Sequence, residues 1–219
     1  MIIVIDVSII ITNYNYSRYL NRSIRSAFVQ KYPEHQYEII VVDDSSTDWS
    51  REIIESYGKI INPMYLTENV GLAGARNIGI KAAKGRYIMF LDADDYLNRN
   101  IIFIEAIFLD MNPNWDAVAC DYYIINDDEE ITGRDSCIDN PIACGIMFKK
   151  EHLISIGLYD ESFKIWEEKD LRIRFLNKFK IHHIELPLYR YRRHENNLTN
   201  DKETAEKYLD KLKIKHNLK

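Results

Sequence analysis

The sequence predicts an α/β fold in which helices flank a mixed, mainly parallel, Rossmann-like central sheet. Ile/Val-rich runs alternate with amphipathic segments over residues 1–95, as is typical of buried parallel strands joined by crossover helices. These runs end in polar residues, "TNYN", "DDSSTD" and "DADD". Ligands of open α/β sheets bind at the carboxyl ends of the strands, so we expect these polar ends to form one site.

The first half of the chain supplies four predicted strands, at residues 7–12, 37–42, 60–66 and 86–91. Between them we predict a helix that Ser17 caps and that runs to residue 30. A second helix begins at Asp48 and ends before Gly58. A third lies in "ENVGLAGARNIGIKAAKG" and ends at Gly85.

After residue 97 the alternation becomes less regular. We predict strands at residues 118–125, 142–149 and 182–192, with "NDDEEITGRD" as a polar turn or hairpin. Helices are expected at residues 99–111, in "EHLISIG", in "IWEEKDLRIRFLNKF" and at residues 202–217. This order of strands and helices predicts a single domain with a C-terminal helical appendage.

Length and charge narrow the classes of function. A chain of 219 residues suits one large domain, and a net charge of -5 argues against a nucleic-acid-binding protein. No apolar run reaches the roughly 18 residues of a membrane span. The segment "MIIVIDVSIIIT" lacks a basic region and a cleavage site, so we interpret it as a first strand rather than a signal peptide.

Three cysteines show no CxxC spacing. We therefore expect Cys120, Cys137 and Cys144 to be reduced thiols of a cytosolic protein, two of them in the core.

Several motifs together resemble the family 2 glycosyltransferases, which have the GT-A fold. They are "VSIIITNYNYSRYLNRSIRSAF", "EIIVVDDSSTD", "ENVGLAGARNIGIKAAKGRYIMFLDADDYL", "IGLYDESFKIWEEKDLRIRF" and "YRYRRHENNLT", which span residues 7–199 in the family's order. The resemblance implies a nucleotide-sugar-dependent transferase, usually inverting, with a divalent metal. Residues 1–200 would form the GT-A domain, with residues 1–97 binding the nucleotide, residues 98–200 binding the acceptor, and residues 201–219 as the C-terminal helix.

The acidic turn "DADD" is the first candidate site. Neighbouring carboxylates raise each other's pKa unless a cation or hydrogen bonds favour the charged form, and Mg²⁺ or Mn²⁺ prefers such oxygens. Strand alternation would turn Asp92 and Asp94 to the same side. The resemblance implies that Asp92 lies near the ribose and that Asp94 binds the metal. A solvated turn is the alternative, and Asp95 stays open between a site role and a turn role.

The nucleotide is expected to contact four residues, by resemblance to the family: Thr12, Tyr14, Asp44 and Arg76. A carboxylate at Asp44 can accept a hydrogen bond from a pyrimidine N–H, which favours a UDP-sugar. The alternatives are helix capping for Asp44, loop packing for Tyr14 and a surface salt bridge for Arg76. Asn77 is expected to brace the glycine-rich loop.

The segment "WEEKDLRIR" is expected to carry the general base of an inverting transfer. The family pattern E-D-x-D-L places the base at Glu168, where this sequence has Glu in place of the more usual Asp. Glu167 and Asp170 are the other candidates. A purely electrostatic role at the start of a helix is the alternative.

His194, in "YRRHENNLT", is expected near the metal or the diphosphate, because the family often has a histidine there and imidazole ligates divalent ions. Three arginines nearby would add positive charge for phosphates: Arg190, Arg192 and Arg193. An ordinary surface position is the alternative for His194. His182 and His183 are interpreted as structural.

The predicted activity is transfer of a sugar from a nucleoside-diphosphate sugar to a hydroxyl of a glycan or lipid-linked acceptor, with Mn²⁺ or Mg²⁺. A degenerate nucleotide-sugar-binding module and a sugar nucleotidyltransferase are the alternatives. By analogy, the pathway would be polysaccharide biosynthesis of a bacterial envelope. We expect a cytoplasmic protein whose last helix packs on the domain or touches the inner face of an anionic membrane.

Overall fold

A nine-stranded sheet organises the residues that the computed structural model describes, which are 4–195, 197 and 201–218. The strands are β1 (Val7–Asn13), β2 (Tyr37–Asp43), β3 (Asn62–Tyr65), β4 (Tyr87–Asp92), β5 (Tyr96–Leu97), β6 (Ala117–Ile125), β7 (Ile131–Asp135), β8 (Ile146–Lys149) and β9 (Ile181–Arg192). The helices are α1 (Ser17–Phe28), α2 (Ser50–Ser56), α3 (Gly71–Ala82), α4 (Ile101–Met111), α5 (Lys150–Ser155), α6 (Glu167–Leu176) and α7 (Lys202–His216).

Strand order explains where a ligand can bind. The order of strands in the sheet is β3-β2-β1-β4-β8-β6-β9-β5. Strand β7 pairs with residues 122–125 of β6, beyond the residues of β6 that pair with β8. The first four strands are parallel, β8 is antiparallel to both of its neighbours, and β6 and β9 are again parallel. The chain moves outward from β1 to β3 and then returns to the other side of β1, so β1 and β4 flank a topological switch point. The predicted mixed α/β fold is confirmed.

Close packing on both faces accounts for the apolar strands. Every residue of β1 and β2 is buried. Helix α3 approaches β1 so closely that a Cβ at Gly79 would lie 2.5 Å from Cγ2 of Ile10. A side chain at Gly79 would therefore push the helix away from the switch point.

The predicted elements are present, with differences at their ends. The polar segment after β6 does form a hairpin, since β7 pairs antiparallel with β6. The strand expected at residues 142–149 begins only at Ile146, because Gly145, with φ +70°, turns the chain just before it. Strand β5 was not predicted; its two residues pair with β9 directly after the acidic turn. All three cysteines are buried and free.

Helix α7 packs on the domain through polar contacts. Lys211 Nζ donates to the carbonyl of Ser162, and Lys215 Nζ lies 2.8 Å from Oδ2 of Asp160. The indole N–H of Trp166 donates to the carbonyl of Ala205. Lys211 and Lys215, two of the lysines behind the membrane hypothesis, therefore hold the helix to the loop before α6. Within the described residues no helix is both long and apolar enough to span a bilayer.

Candidate active site

The acidic turn leaves the end of β4. Strand β4 ends at Asp92, and the N–H of Asp95 donates to the carbonyl of Asp92 at 3.2 Å. Residues 93 and 94 thus belong to a turn, and the expectation that strand alternation sets the direction of Asp94 is wrong.

Asp95 anchors this turn to strand β9. Its carboxylate accepts hydrogen bonds from the hydroxyl of Tyr189 and from the main-chain N–H of Arg192, each at 2.7 Å. The side chain is buried, and burial together with the charges of Asp94 and Asp92 raises its pKa well above the ordinary value. The structure therefore gives Asp95 a turn-anchoring role.

Arg192 also braces the turn. Its Nε donates to the carbonyl of Asp94, and Nη1 donates to the carbonyl of Asn126. Arg190 donates to the carbonyl of Pro187. Of the three arginines expected to attract phosphates, Arg193 is the exposed one.

Asp94 meets His194, which lies one hundred residues further along the chain. Its Oδ2 is 2.9 Å from Nε2 of His194, whose side chain is 2% exposed. The imidazole stacks on the ring of Tyr19, with centroids 5.1 Å apart, and the ring of Tyr16 meets it edge-on. The surface position considered for His194 is excluded by this burial.

These two donors fit a divalent cation. A carboxylate oxygen and an imidazole nitrogen are both accepted by Mn²⁺. Burial, with the charge of Asp92, raises the pKa of Asp94 although the His194 hydrogen bond opposes the shift. A cation would favour the ionised carboxylate at this position.

Arg76 connects the acidic turn to the start of α6. Nη2 lies 2.8 Å from Oδ1 of Asp92, and Nη1 lies 2.8 Å from Oε1 of Glu167. The guanidinium is 1% exposed and lies over the rings of Phe90 and Tyr159. Direct contact of Arg76 with a nucleotide stays a prediction, and the surface salt bridge is excluded because the guanidinium is buried.

Three acidic residues begin α6, and they have different surroundings. Glu167 is taken by Arg76, and burial raises its pKa to about 7. Asp170 is buried and pairs with Arg174 of its own helix and with Lys215 and His216 of α7. Glu168 is partly exposed, and no other residue in the described part of the chain donates a hydrogen bond to its carboxylate.

Burial raises the pKa of Glu168, so its carboxylate is more basic than that of an ordinary glutamate. It also lines a small cavity of about 30 Å³, with walls from the loop after β7, strand β8 and helix α6.

The ends of β1 and β2 carry the residues predicted to bind the base. Thr12 is buried at the end of β1, and Tyr14, just beyond it, is 46% exposed. The two carboxylate oxygens of Asp44 accept the main-chain N–H groups of Val70 and Gly71, at 2.8 and 2.9 Å. Asp44 therefore caps α3 and not α2, and its orientation is fixed.

Capping of α2 falls to Asp48, as predicted. Its Oδ1 accepts the N–H of Ser50, and its Oδ2 accepts the N–H of Ser17 at the start of α1. Asn77 braces a different loop from the one expected: its amide exchanges hydrogen bonds with the main chain of Tyr159 and donates to Glu161.

Sequence reasoning missed the aromatic wall around His194. Tyr16 and Tyr19 belong to the tyrosine-rich segment after β1, and their proximity to His194 depends on how α1 packs against the acidic turn. The spacing of three, which places both on one side of a helix start, was the available signal.

The doubly wound α/β sheet, with an acidic turn at its switch point, has the architecture of the GT-A glycosyltransferases. The chain belongs to glycosyl transferase family 2, whose family model matches residues 8–193.

Two relatives are glycosyltransferases named for a polymer, poly(ribitol-phosphate) in one and teichuronic acid in the other. The poly(ribitol-phosphate) beta-N-acetylglucosaminyltransferase TarS of Staphylococcus aureus is 34% identical over 106 residues, which are 47% of this chain and 18% of TarS. TuaG of Bacillus subtilis, named for teichuronic acid biosynthesis, is 45% identical over 92 residues, which are 41% of this chain and 36% of TuaG. The chain thus matches well under half of either relative.

Solved structures share the fold. TarS 1–349 with UDP gives a TM-score of 0.76 at 21% identity, covering 96% of this chain and 65% of that one; another TarS structure contains UDP-GlcNAc. The mannosyltransferase PcManGT of Pyrobaculum calidifontis, in complex with GDP-Man and Mn²⁺, gives 0.74 at 18% identity, covering 96% of this chain and 63% of that one. At these identities the likeness establishes the fold alone.

Proposed function

We propose that this glycosyltransferase moves a sugar from a UDP-sugar to a hydroxyl of a glycan or lipid-linked acceptor by direct displacement, with inversion at the anomeric carbon. The observation that carries the proposal is the carboxylate of Glu168. It begins α6 without a partner from another described residue, while Arg76 ties the preceding residue, Glu167, to Asp92 of the acidic turn.

Glu168 is the general base in this proposal. As the acceptor oxygen attacks the anomeric carbon, its proton passes to the carboxylate of Glu168, and the bond between the sugar and UDP breaks. The two neighbouring acids serve less well, because Glu167 is paired with Arg76, and Asp170 is paired with Arg174 and Lys215 and contacts His216.

The nucleotide lies in this proposal on the ends of β1 and β2. Tyr14 is exposed enough to flank a base, and Thr12 lies at the end of the same strand. Asp44 is held by two N–H groups, and a carboxylate oxygen with one such bond retains a lone pair for a pyrimidine N–H. Arg76 acts as a positioning residue, because it holds Asp92 and Glu167 in place.

A divalent cation, Mn²⁺ or Mg²⁺, would be held by Asp94 and His194. When bound there, it supplies positive charge for the diphosphate of the leaving UDP. The chain's own residues hold that pair in place: Asp95 and Arg192 fix the turn, and Tyr19 stacks on the imidazole.

The names of TarS and TuaG favour a polymeric acceptor of the poly(ribitol-phosphate) or teichuronic acid type, and residues 98–200 would bind it. Neither the sugar nucleotidyltransferase nor the degenerate module is favoured by membership of a transferase family. Contact of residues 202–219 with a membrane, and a cytoplasmic location, stay predictions.

The test is a panel of UDP-, dTDP- and GDP-sugars assayed for release of free nucleotide with Mn²⁺, on the parent chain and on Glu168→Gln. We expect release from UDP-sugars, and a loss of about 10²- to 10⁴-fold in Glu168→Gln. Binding of UDP should be unchanged. Glu168→Asp, which keeps a carboxylate, should retain more activity, and the exposed Glu151→Gln serves as the matched control.

Equal turnover by the parent chain and Glu168→Gln would rule out the base. The anomeric configuration of the transferred sugar, read from the proton coupling constant of the product, tests inversion separately. A product with the donor's configuration would contradict direct displacement.

A further inference from the structure

We propose a second metal site, for zinc or a similar ion, formed by Asp121, Cys137 and His183 outside the acidic turn. The three residues come from β6, from the loop after β7 and from β9. One ligand atom from each lies within 4.8 Å of the other two. Carboxylate, thiolate and imidazole are the three ligand types that Zn²⁺ takes in proteins.

The distances suit a tetrahedral ion after a small adjustment. Nε2 of His183 now lies 2.7 Å from Oδ1 of Asp121. Ligand atoms at zinc bond lengths of about 2.0–2.2 Å in tetrahedral geometry lie roughly 3.4 Å apart. The ion would replace the shared proton of this hydrogen bond, so Nε2 and Oδ1 need to move about 0.7 Å further apart.

The surroundings suit such an ion. Asp121 and Cys137 are buried, and the side chain of His183 is 21% exposed, which leaves a path for an ion and a water ligand. Arg134 lies 2.8 Å from the other oxygen of Asp121 and would orient the ligating carboxylate from outside. Its guanidinium is half exposed, so solvent screens its charge.

Charges and protons can be accounted for when the ion binds. The thiol of Cys137 releases one proton to solvent as it ligates, and the Nε2 proton of His183 moves to Nδ1. The thiolate and the Asp121 carboxylate then neutralise the two charges of the ion.

The site would fasten the connection between β7 and β8, which lies near the proposed acceptor side. Cys137 belongs to the loop of residues 136–145, and its carbonyl accepts from Arg172 of α6. Pro141, Ile142 and Ala143 of the same loop line the small cavity that Glu168 also lines. The ion would therefore join this loop to β6 and β9 beside the proposed acceptor side.

The experiment titrates the metal-stripped full chain with Co²⁺ and Zn²⁺ in the Asp94→Asn background, which disables the proposed donor-metal site. We expect one Co²⁺ per chain with the intense thiolate-to-cobalt charge-transfer absorption, and Zn²⁺ should displace it. Cys137→Ser should remove that absorption and lower the Zn²⁺ affinity at least tenfold. His183→Gln should also lower the affinity tenfold or more.

Two matched controls keep the outcome specific. Cys144→Ser removes another buried thiol from the same loop, and His182→Ala removes the adjacent imidazole, which stacks on Trp115. Both should bind Co²⁺ as the Asp94→Asn background does. Circular dichroism of each variant verifies folding.

Absence of the thiolate absorption in the Asp94→Asn background would overturn the proposal, and so would an unchanged affinity in a folded Cys137→Ser. Because the readout is metal binding, the result is independent of whether the chain transfers sugar.

Discussion

Arg76 and Glu167, which lie 91 positions apart in the chain, form a buried ion pair with Nη1 2.8 Å from Oε1. The other terminal nitrogen of the same guanidinium holds Asp92. One side chain of α3 therefore sets the distance between the acidic turn and the first turn of α6. Glu168 follows Glu167 directly, so the proposed base inherits its position from this pair.

Removal of Arg76 should cost both stability and activity. In Arg76→Met, two carboxylates lose their counter-charge, one of them fully buried, and we expect the free energy of unfolding to fall by about 3–5 kcal/mol. Urea denaturation measures it. The exposed pair of Arg51 and Glu55 gives the control, since Arg51→Met should change stability by less than about 0.5 kcal/mol.

A compensating change separates the two effects. Glu167→Gln combined with Arg76→Met removes one uncompensated charge and should recover part of the lost stability, while transfer stays impaired. If the double variant recovered transfer fully, the positioning role of Arg76 would be wrong.

The proposed base predicts an acid limb in the pH profile. Burial raises the pKa of Glu168, and only its ionised form can accept the acceptor's proton. We expect kcat/KM to fall as pH falls through a midpoint above the ordinary glutamate value of about 4.3. The profile of Glu168→Gln should lack this limb. Glu167→Gln tests whether Glu167, whose pKa is raised to about 7, contributes to the midpoint.

Metal removal should abolish turnover. A chelator is expected to stop nucleotide release, and Mn²⁺ should restore it, because the diphosphate leaves with concentrated negative charge. Asp94→Asn and His194→Ala should each weaken Mn²⁺-dependent UDP binding, measured by titration calorimetry. His35→Ala, at an exposed histidine in the connection between α1 and β2, should bind as the parent does. Full activity of Asp94→Asn in chelator would contradict the proposed site.

A buried carboxyl on α4 should lower stability at neutral pH. Neither oxygen of Glu105 meets a hydrogen-bond donor in good geometry, and burial raises its pKa well above the ordinary value despite the nearby Cys120 thiol. The folded state therefore binds this proton more tightly than the unfolded state. The free energy gained from this tighter proton binding is complete below the pKa of Glu105 in the unfolded chain. It is lost as the pH rises toward the pKa in the folded state.

Glu105→Met keeps the shape and removes the carboxyl. We expect a gain of about 1–3 kcal/mol near neutral pH, and the gain should shrink toward acidic pH. Urea unfolding at two pH values measures it, with the exposed Glu52→Met as control. A gain that did not change with pH would show that the carboxyl stays charged in the core.

Short elements and irregular turns could not be predicted from the sequence. Strand β5 has two residues, too few for a periodic pattern, and it exists because the turn after β4 places Tyr96 and Leu97 beside β9. The alternation argument for Asp94 failed for a related reason: strand β4 ends at Asp92, two residues earlier than the argument required.

The choice among the acids of α6 shows the same limit. The resemblance to the family pattern favoured Glu168 as the general base, but Glu167 and Asp170 stayed as other candidates. Packing gave Glu167 to Arg76 and Asp170 to Lys215 and His216, and those contacts join residues 45 or more positions apart. No local pattern encodes such pairs.

By itself, the order of apolar and polar residues determined that strands of a parallel sheet end in carboxylates on a common rim, because buried strands must be apolar and their ends must meet solvent. Tertiary structure decided which carboxylates pair with a cation and which keep an oxygen without a hydrogen-bond donor. The physical reason is that the charge state of a buried acid depends on the cations packed against it, and here those cations are Arg76 of α3 and Lys215 of α7.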